Sequence, residues 1–208
     1  MARVIQRGKD IYVGMVMIRT ELEPLGVKYC FGPHTYDDAT YQNDNMAGIA
    51  GKAYATSTEY FEAFSWWHLD SAKFPLIPPK PHYLIFAGAG VPPPKTSALT
   101  STNNAWAVLA NVKDEDKGTL PILITRNVDI EALNRALKTG ITSNDFSTPV
   151  QLGAVYKTPF GKRAGVLVRK NGQVDQLQKT RTTLGMVFGN TEIPPRPDSE
   201  PPLMYLQP

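Results

Sequence analysis

The sequence predicts an α+β fold in which an N-terminal amphipathic helix packs on an antiparallel β-sheet, with long irregular loops between them. Three observations carry this. Residues 2–23 repeat apolar side chains at helical spacing. The second half holds apolar runs of strand length joined by turn residues. Between these regions Gly, Pro, Asn and Asp erase any period, in a chain with 18 prolines and 16 glycines.

In the first element Val4, Ile11, Met15, Ile18 and Leu22 share one helical face, with Ile5, Tyr12 and Val16 beside it. Gly8 and Gly14 weaken the helix by up to ~1 kcal/mol each, so packing must hold it. Pro24 and Gly26 end it. The apolar face is expected on the sheet, with Arg3, Arg7, Lys9 and Arg19 pointing away from it. Residues 27–55 read as a long loop. A second helix follows, where Thr56 and Glu59 have capping-box spacing and Tyr60, Phe61, Phe64 and Trp67 form a buried stripe. Proline dominates 74–94, around a short strand candidate at 83–87.

The sheet is expected to begin near Asn104. Runs 105–111 and 121–127 form a hairpin with a longer charged loop. Asp129 caps a short helix, 130–138, which Gly140 stops. The clearest hairpin comes last: 163–169, a two-residue Asn171-Gly172 turn with positive φ, and a return over 173–178. Six prolines beyond Ile193 mark an irregular tail. The organisation is thus a single globular domain, 1–193, and a proline-rich irregular tail, 194–208.

Composition bounds function only loosely. A formal charge of +3 over 208 residues implies no strong polyanion partner overall. Cys30 alone makes no internal disulfide. No run approaches a membrane span, and Arg3, Arg7, Lys9 and Asp10 interrupt any signal-peptide core.

Motifs for chemistry fail one by one. Gly88-Ala89-Gly90 is followed by Pro92 to Pro94, where free helix N–H groups would be needed to bind phosphate. Gly161-Lys162 lacks the upstream glycine of a phosphate loop. Neither a nucleophile elbow nor a His-Glu-x-x-His zinc motif is present. His34 with Asp37, Asp38 and Asp44 offers ligand types for a hard or borderline cation, but at no compact spacing. Asp114, Glu115 and Asp116 are flanked by Lys113 and Lys117 and read as a solvated turn. Trp66-Trp67 reads as a core residue beside a boundary aromatic. The stretch 157–181 gathers Lys157, Lys162, Arg163, Arg169, Lys170, Lys179 and Arg181 against Asp175, read as the solvent face of a half-buried hairpin. No catalytic, cofactor-binding or metal-ligating residue is assigned, no cofactor or small-molecule substrate is implied, and the chain is read as a non-enzyme.

Several pieces, taken in order, resemble a known family. They are Gln6-Arg7-Gly8-Lys9-Asp10-Ile11-Tyr12, Ser57-Thr58-Glu59-Tyr60-Phe61, Asn103-Asn104-Ala105-Trp106-Ala107-Val108 and Leu123-Ile124-Thr125-Arg126-Asn127. The last is the run from Phe160-Gly161-Lys162-Arg163 to Asn171-Gly172. Together, over residues 2–178, they resemble the soluble part of type IV pilin-like proteins, close to the type II secretion pseudopilins with a prepilin-type N-terminus. The resemblance implies a structural subunit whose partners are other pilin or pseudopilin subunits. It implies a periplasmic or cell-surface location, with an inner-membrane anchor in the full-length precursor. The anchor, the processing site and the acidic assembly residue match no position of this chain. The late calcium loop of pseudopilins is not carried over either. The alternative is an extracytoplasmic binding module using the basic hairpin 157–181 for DNA or another anionic polymer. A third reading, a hydrolase or metal-dependent enzyme, requires a pocket joining His34 or His68 to carboxylates.

Overall fold

Helix α1 (Ala2–Leu22) forms where the helical spacing places it and buries Val4, Ile11, Met15, Ile18 and Leu22. Each such side chain removed from water contributes about 1.5–3 kcal/mol, which outweighs the helical cost of two glycines. A 3₁₀ turn at Glu23–Leu25 and a left-handed Gly26 end it. The computed structural model describes residues 2–40, 51–69, 99–153, 164–178 and 180–208.

Helix α2 (Ser57–Leu69) opens on the expected capping box: Thr56 Oγ1 accepts from Glu59 N, and Glu59 Oε2 accepts from Thr56 N. Tyr60 and Phe61 are buried. Phe64, Trp66 and Trp67, the candidate strand 83–87 and residues 154–163 lie outside the described side chains or residues. Strands β1 (Trp106–Ala110) and β2 (Pro121–Thr125) pair antiparallel. Asp129 accepts from Ala132 N and caps α3 (Ile130–Thr139). Then come β3 (Ala164–Arg169), β4 (Val174–Gln178), the short α4 (Leu184–Phe188) and β5 (Met204–Leu206).

The five strands form one antiparallel sheet in the order β4-β3-β2-β1-β5. The fold is therefore α+β, with an N-terminal helix on an antiparallel sheet. Strands β1, β2 and β3 are buried at every position. Their continuous apolar text is what a sheet covered on both faces requires. The helices lie on opposite faces: Val168 contacts the α1 side at Gly8, while its neighbour Arg169 reaches the carbonyls of α4. The expected half-buried β3, with cations alternating into solvent, is thus corrected.

Two further expectations change. The β3–β4 connection is not a two-residue turn. Gly172 N donates to Arg169 O, Arg169 N donates to Gln173 O, and only Gly172 has a positive φ, 85°. This is a three-residue loop in which Lys170 and Asn171 make the turn and Gly172 the bulge, a geometry that glycine permits. The tail is not irregular throughout. Leu203, Tyr205 and Leu206 are buried, and β5 adds an edge to β1. Proline density argues against helix and interior strand, but not against an edge strand that starts after the prolines. Both outward backbone groups of Tyr205 are taken by one side chain of α3: Tyr205 N donates to Asn134 Oδ1 at 2.7 Å, and Asn134 Nδ2 donates to Tyr205 O at 3.0 Å.

Gly8 explains its own place inside a helix. A Cβ there would stand 2.9 Å from both Trp106 Cη2 and Val168 Cγ2. The position sets how closely α1 can approach the sheet. Gly8→Ala is expected to destabilise by about 1–3 kcal/mol, despite alanine's better helix propensity. A lower urea midpoint at unchanged m-value is the readout, and a gain in stability would refute the close seat of α1.

Candidate functional site

The surface that α1 turns away from the sheet is built by its periodicity. Arg3, Gln6, Lys9, Val13 and Thr20 are exposed, and Val13 is 54% exposed. Gln6 Nε2 donates to Asp10 Oδ1 across one turn. Arg19 does not join this surface. It pairs with Asp114 at 2.7 Å and Glu23 at 3.3 Å, and its guanidinium stands 6.0 Å from the Phe31 ring centre. Among the described residues no helix is long and apolar enough to cross a membrane.

The basic hairpin does not form a cationic stripe over its described part. Arg169 is buried. Its Nε donates to Asp175 at 2.6 Å, its Nη1 to the carbonyls of Thr119 and Val187, and its Nη2 to Met186 O. Lys170 is half-buried and donates to the carbonyls of Asp114 and Asp116. Burial lowers its pKa, with Asp114 and Asp116 opposing. Arg181 is exposed. Lys157, Lys162, Arg163 and Lys179 lie outside the described residues. A phosphate backbone needs free cations, and Arg169 and Lys170 hold the protein's own oxygens instead.

The acidic turn is not merely solvated. Asp116 accepts from Lys113 N at 2.7 Å and pairs with Arg196 at 2.5 Å. Glu200 accepts from Lys113 at 2.5 Å and from Lys28 at 3.2 Å. Glu115 is largely exposed, 3.6 Å from Lys113. These pairs tie the β1–β2 loop to the C-terminal segment and to the loop after α1. The carboxylates that a calcium ion would require are therefore matched by ammonium and guanidinium groups. Beside the Arg196–Asp116 pair lies a cavity of about 160 Å³, walled by Leu120, Ile193, Pro195 and Leu203. It has an apolar floor and a mixed-charge rim, without a nucleophile–base pair among its lining residues.

Among the described residues the candidate cation ligands do not gather. His34 is 1% exposed. Asp37 accepts from Ala53 N and Asp38 from Thr40 N, each serving as a loop cap. Asp44 and His82 lie outside the described residues, as does the side chain of His68. Among the described residues no group of three His, Cys, Asp or Glu side chains could hold a metal ion. Cys30 is buried, and burial pushes its thiol pKa up, away from the reactive thiolate.

Sequence reasoning missed two organising residues. Asn111, at φ 63°, accepts from Thr35 N, and its amide donates to Thr35 Oγ1 and Pro202 O. Asn134 closes the β5 edge. An asparagine at a strand end is the only signal Asn111 gives, and Asn134 gives none. Comparison with protein-family models, with curated proteins and with solved structures returns no match.

Two outcomes test this network. Arg169→Met leaves Asp175 and three carbonyls without their donor and is expected to cost about 3–5 kcal/mol in thermal or urea unfolding. Hydrogen bonds from Lys113, and then from Lys28, hold the Glu200 carboxyl below its usual 4.5. A carboxylate lowered in this way contributes stability above 4.5 that is lost as pH falls through its folded value. Amide protection at Tyr205 should therefore drop below about pH 4.5, and Glu200→Gln should remove that step.

Proposed function

We propose that this chain is the globular part of a structural subunit, a pilin or pseudopilin, of a type IV pilus-like or type II secretion filament. The observation that carries the reading is the two-sided character of α1. One face is seated on the sheet through Gly8, Ile11, Met15 and Ile18, and the other stays exposed along Gln6, Lys9 and Val13. One further feature supports it: the charged groups of the acidic turn and the C-terminal segment pair with one another rather than converge on a substrate. In such a subunit the exposed strip of α1 packs against helices of neighbouring copies, while the sheet faces outward. Its location is periplasmic or cell-surface, and its membrane partner is the inner membrane, reached through a segment upstream of residue 2.

Val13 supplies the test. A substitution at so exposed a position should leave stability within about ±0.5 kcal/mol. Val13→Glu, in the protein expressed from its own gene, is expected to reduce recovery in sheared surface filaments or cross-linked subunit ladders about tenfold at unchanged melting temperature. Unchanged recovery, or fractionation of the wild-type protein with the cytosol, would overturn the reading.

A further inference from the structure

We propose that the segment 27–38 is an acid-sensitive clasp, in which protonation of the His34 imidazole loosens its hold on the end of β1 and on the C-terminal segment. His34 is 1% exposed and sits against two tyrosine rings, with ring centres 5.8 Å away at Tyr29 and 5.3 Å away at Tyr36. Neither ring nitrogen has a hydrogen-bond partner in proper geometry. A neutral imidazole tolerates this nest. An imidazolium carries a charge and a second N–H donor, in a nest that excludes the water that would solvate them.

Two cations stand over the Tyr29 ring of this nest, and both are paired. Lys28, on the same segment, stands 5.4 Å from the Tyr29 ring centre, and Lys113, on the β1–β2 loop, stands 5.9 Å from it. Glu200, on the C-terminal segment, binds both of those ammonium groups. Burial lowers the pKa of His34, outweighing the backbone of Tyr29 and then Asp38, which favour the charged imidazole.

The neighbours of His34 give the site leverage. Pro33 O accepts from Asn111 N, Thr35 exchanges two hydrogen bonds with Asn111, and Asn111 donates to Pro202 O. His34 O itself accepts from Tyr54 N at 2.8 Å. Hydrating the ring requires this run to lift, which frees Asn111, and through it the approach to β5. The opened state takes up a proton below pH 6.5, whereas the closed state resists until its own lower value. Closure therefore weakens as pH falls from 6.5 and levels off once the closed state is protonated as well. This window opens at a higher pH than that of Glu200, and the inference is independent of the filament reading.

The test uses the full chain with labelled histidine. The His34 ring resonance, followed by NMR from pH 7.5 to 4.5, is expected to titrate with a midpoint below 6.5. Urea unfolding of the wild type should show the folding constant falling between pH 7.5 and 5.5. His34→Phe should be nearly flat over that range, with His68 and His82 still present. A midpoint at or above 6.5, or equal pH dependence in the two proteins, would overturn the clasp. If His34→Phe does not fold, the ring titration of the wild type decides alone.

Discussion

The seat of α1 on the sheet is the constraint from which much of the architecture follows. Gly8 lets the helix come down on Trp106 and Val168, where any side chain would hold it off. With one face of the sheet closed so tightly, strand alternation sends the intervening residues to the other face, and that face must be covered too. Part of that cover comes from the short α4 rather than from a second long helix. Arg169 is the consequence of that economy. A helix as short as α4 leaves carbonyls unsatisfied near the sheet, and the guanidinium fork collects those of Met186 and Val187, together with Thr119 O and Asp175.

What could be read from the sequence was whatever depends on near neighbours. The period of Val4, Ile11, Met15, Ile18 and Leu22, the Thr56–Glu59 box and the Asp129 cap are local devices, and the structure repeats them. Strands β1 to β4 were legible for the same reason. The exposure of β3 was not, because a run such as Ala164–Arg169 reads alike whether one face or both are covered. Strand β5 escaped notice because Met204–Leu206 is short and follows prolines, and its partner β1 lies far back in the chain. Asn111 and Asn134 act over comparable separations, which no window on the sequence spans.

Charge followed the same rule. The acidic turn, which looked like a candidate site, is taken up by cations from other parts of the chain, Lys170 of the basic hairpin among them. Asp114 belongs with Arg19, Asp116 with Arg196, Glu200 with Lys113 and Lys28, and Lys170 with the carbonyls of the acidic turn. Taken separately, each cluster suggests a ligand. Placed together, they account for how an extended, proline-rich C-terminal segment is fastened down without regular secondary structure over most of its length.

The amide of Asn134 has a bearing on crowding. By occupying both outward groups of Tyr205, it removes the template that a bare strand offers to any other chain in extended conformation. Where copies crowd together, a strand with open backbone groups would invite fusion of sheets. Here that edge is blunted by one side chain of α3. Dense packing of this protein against itself therefore need not lead to zipping of its sheets through β5.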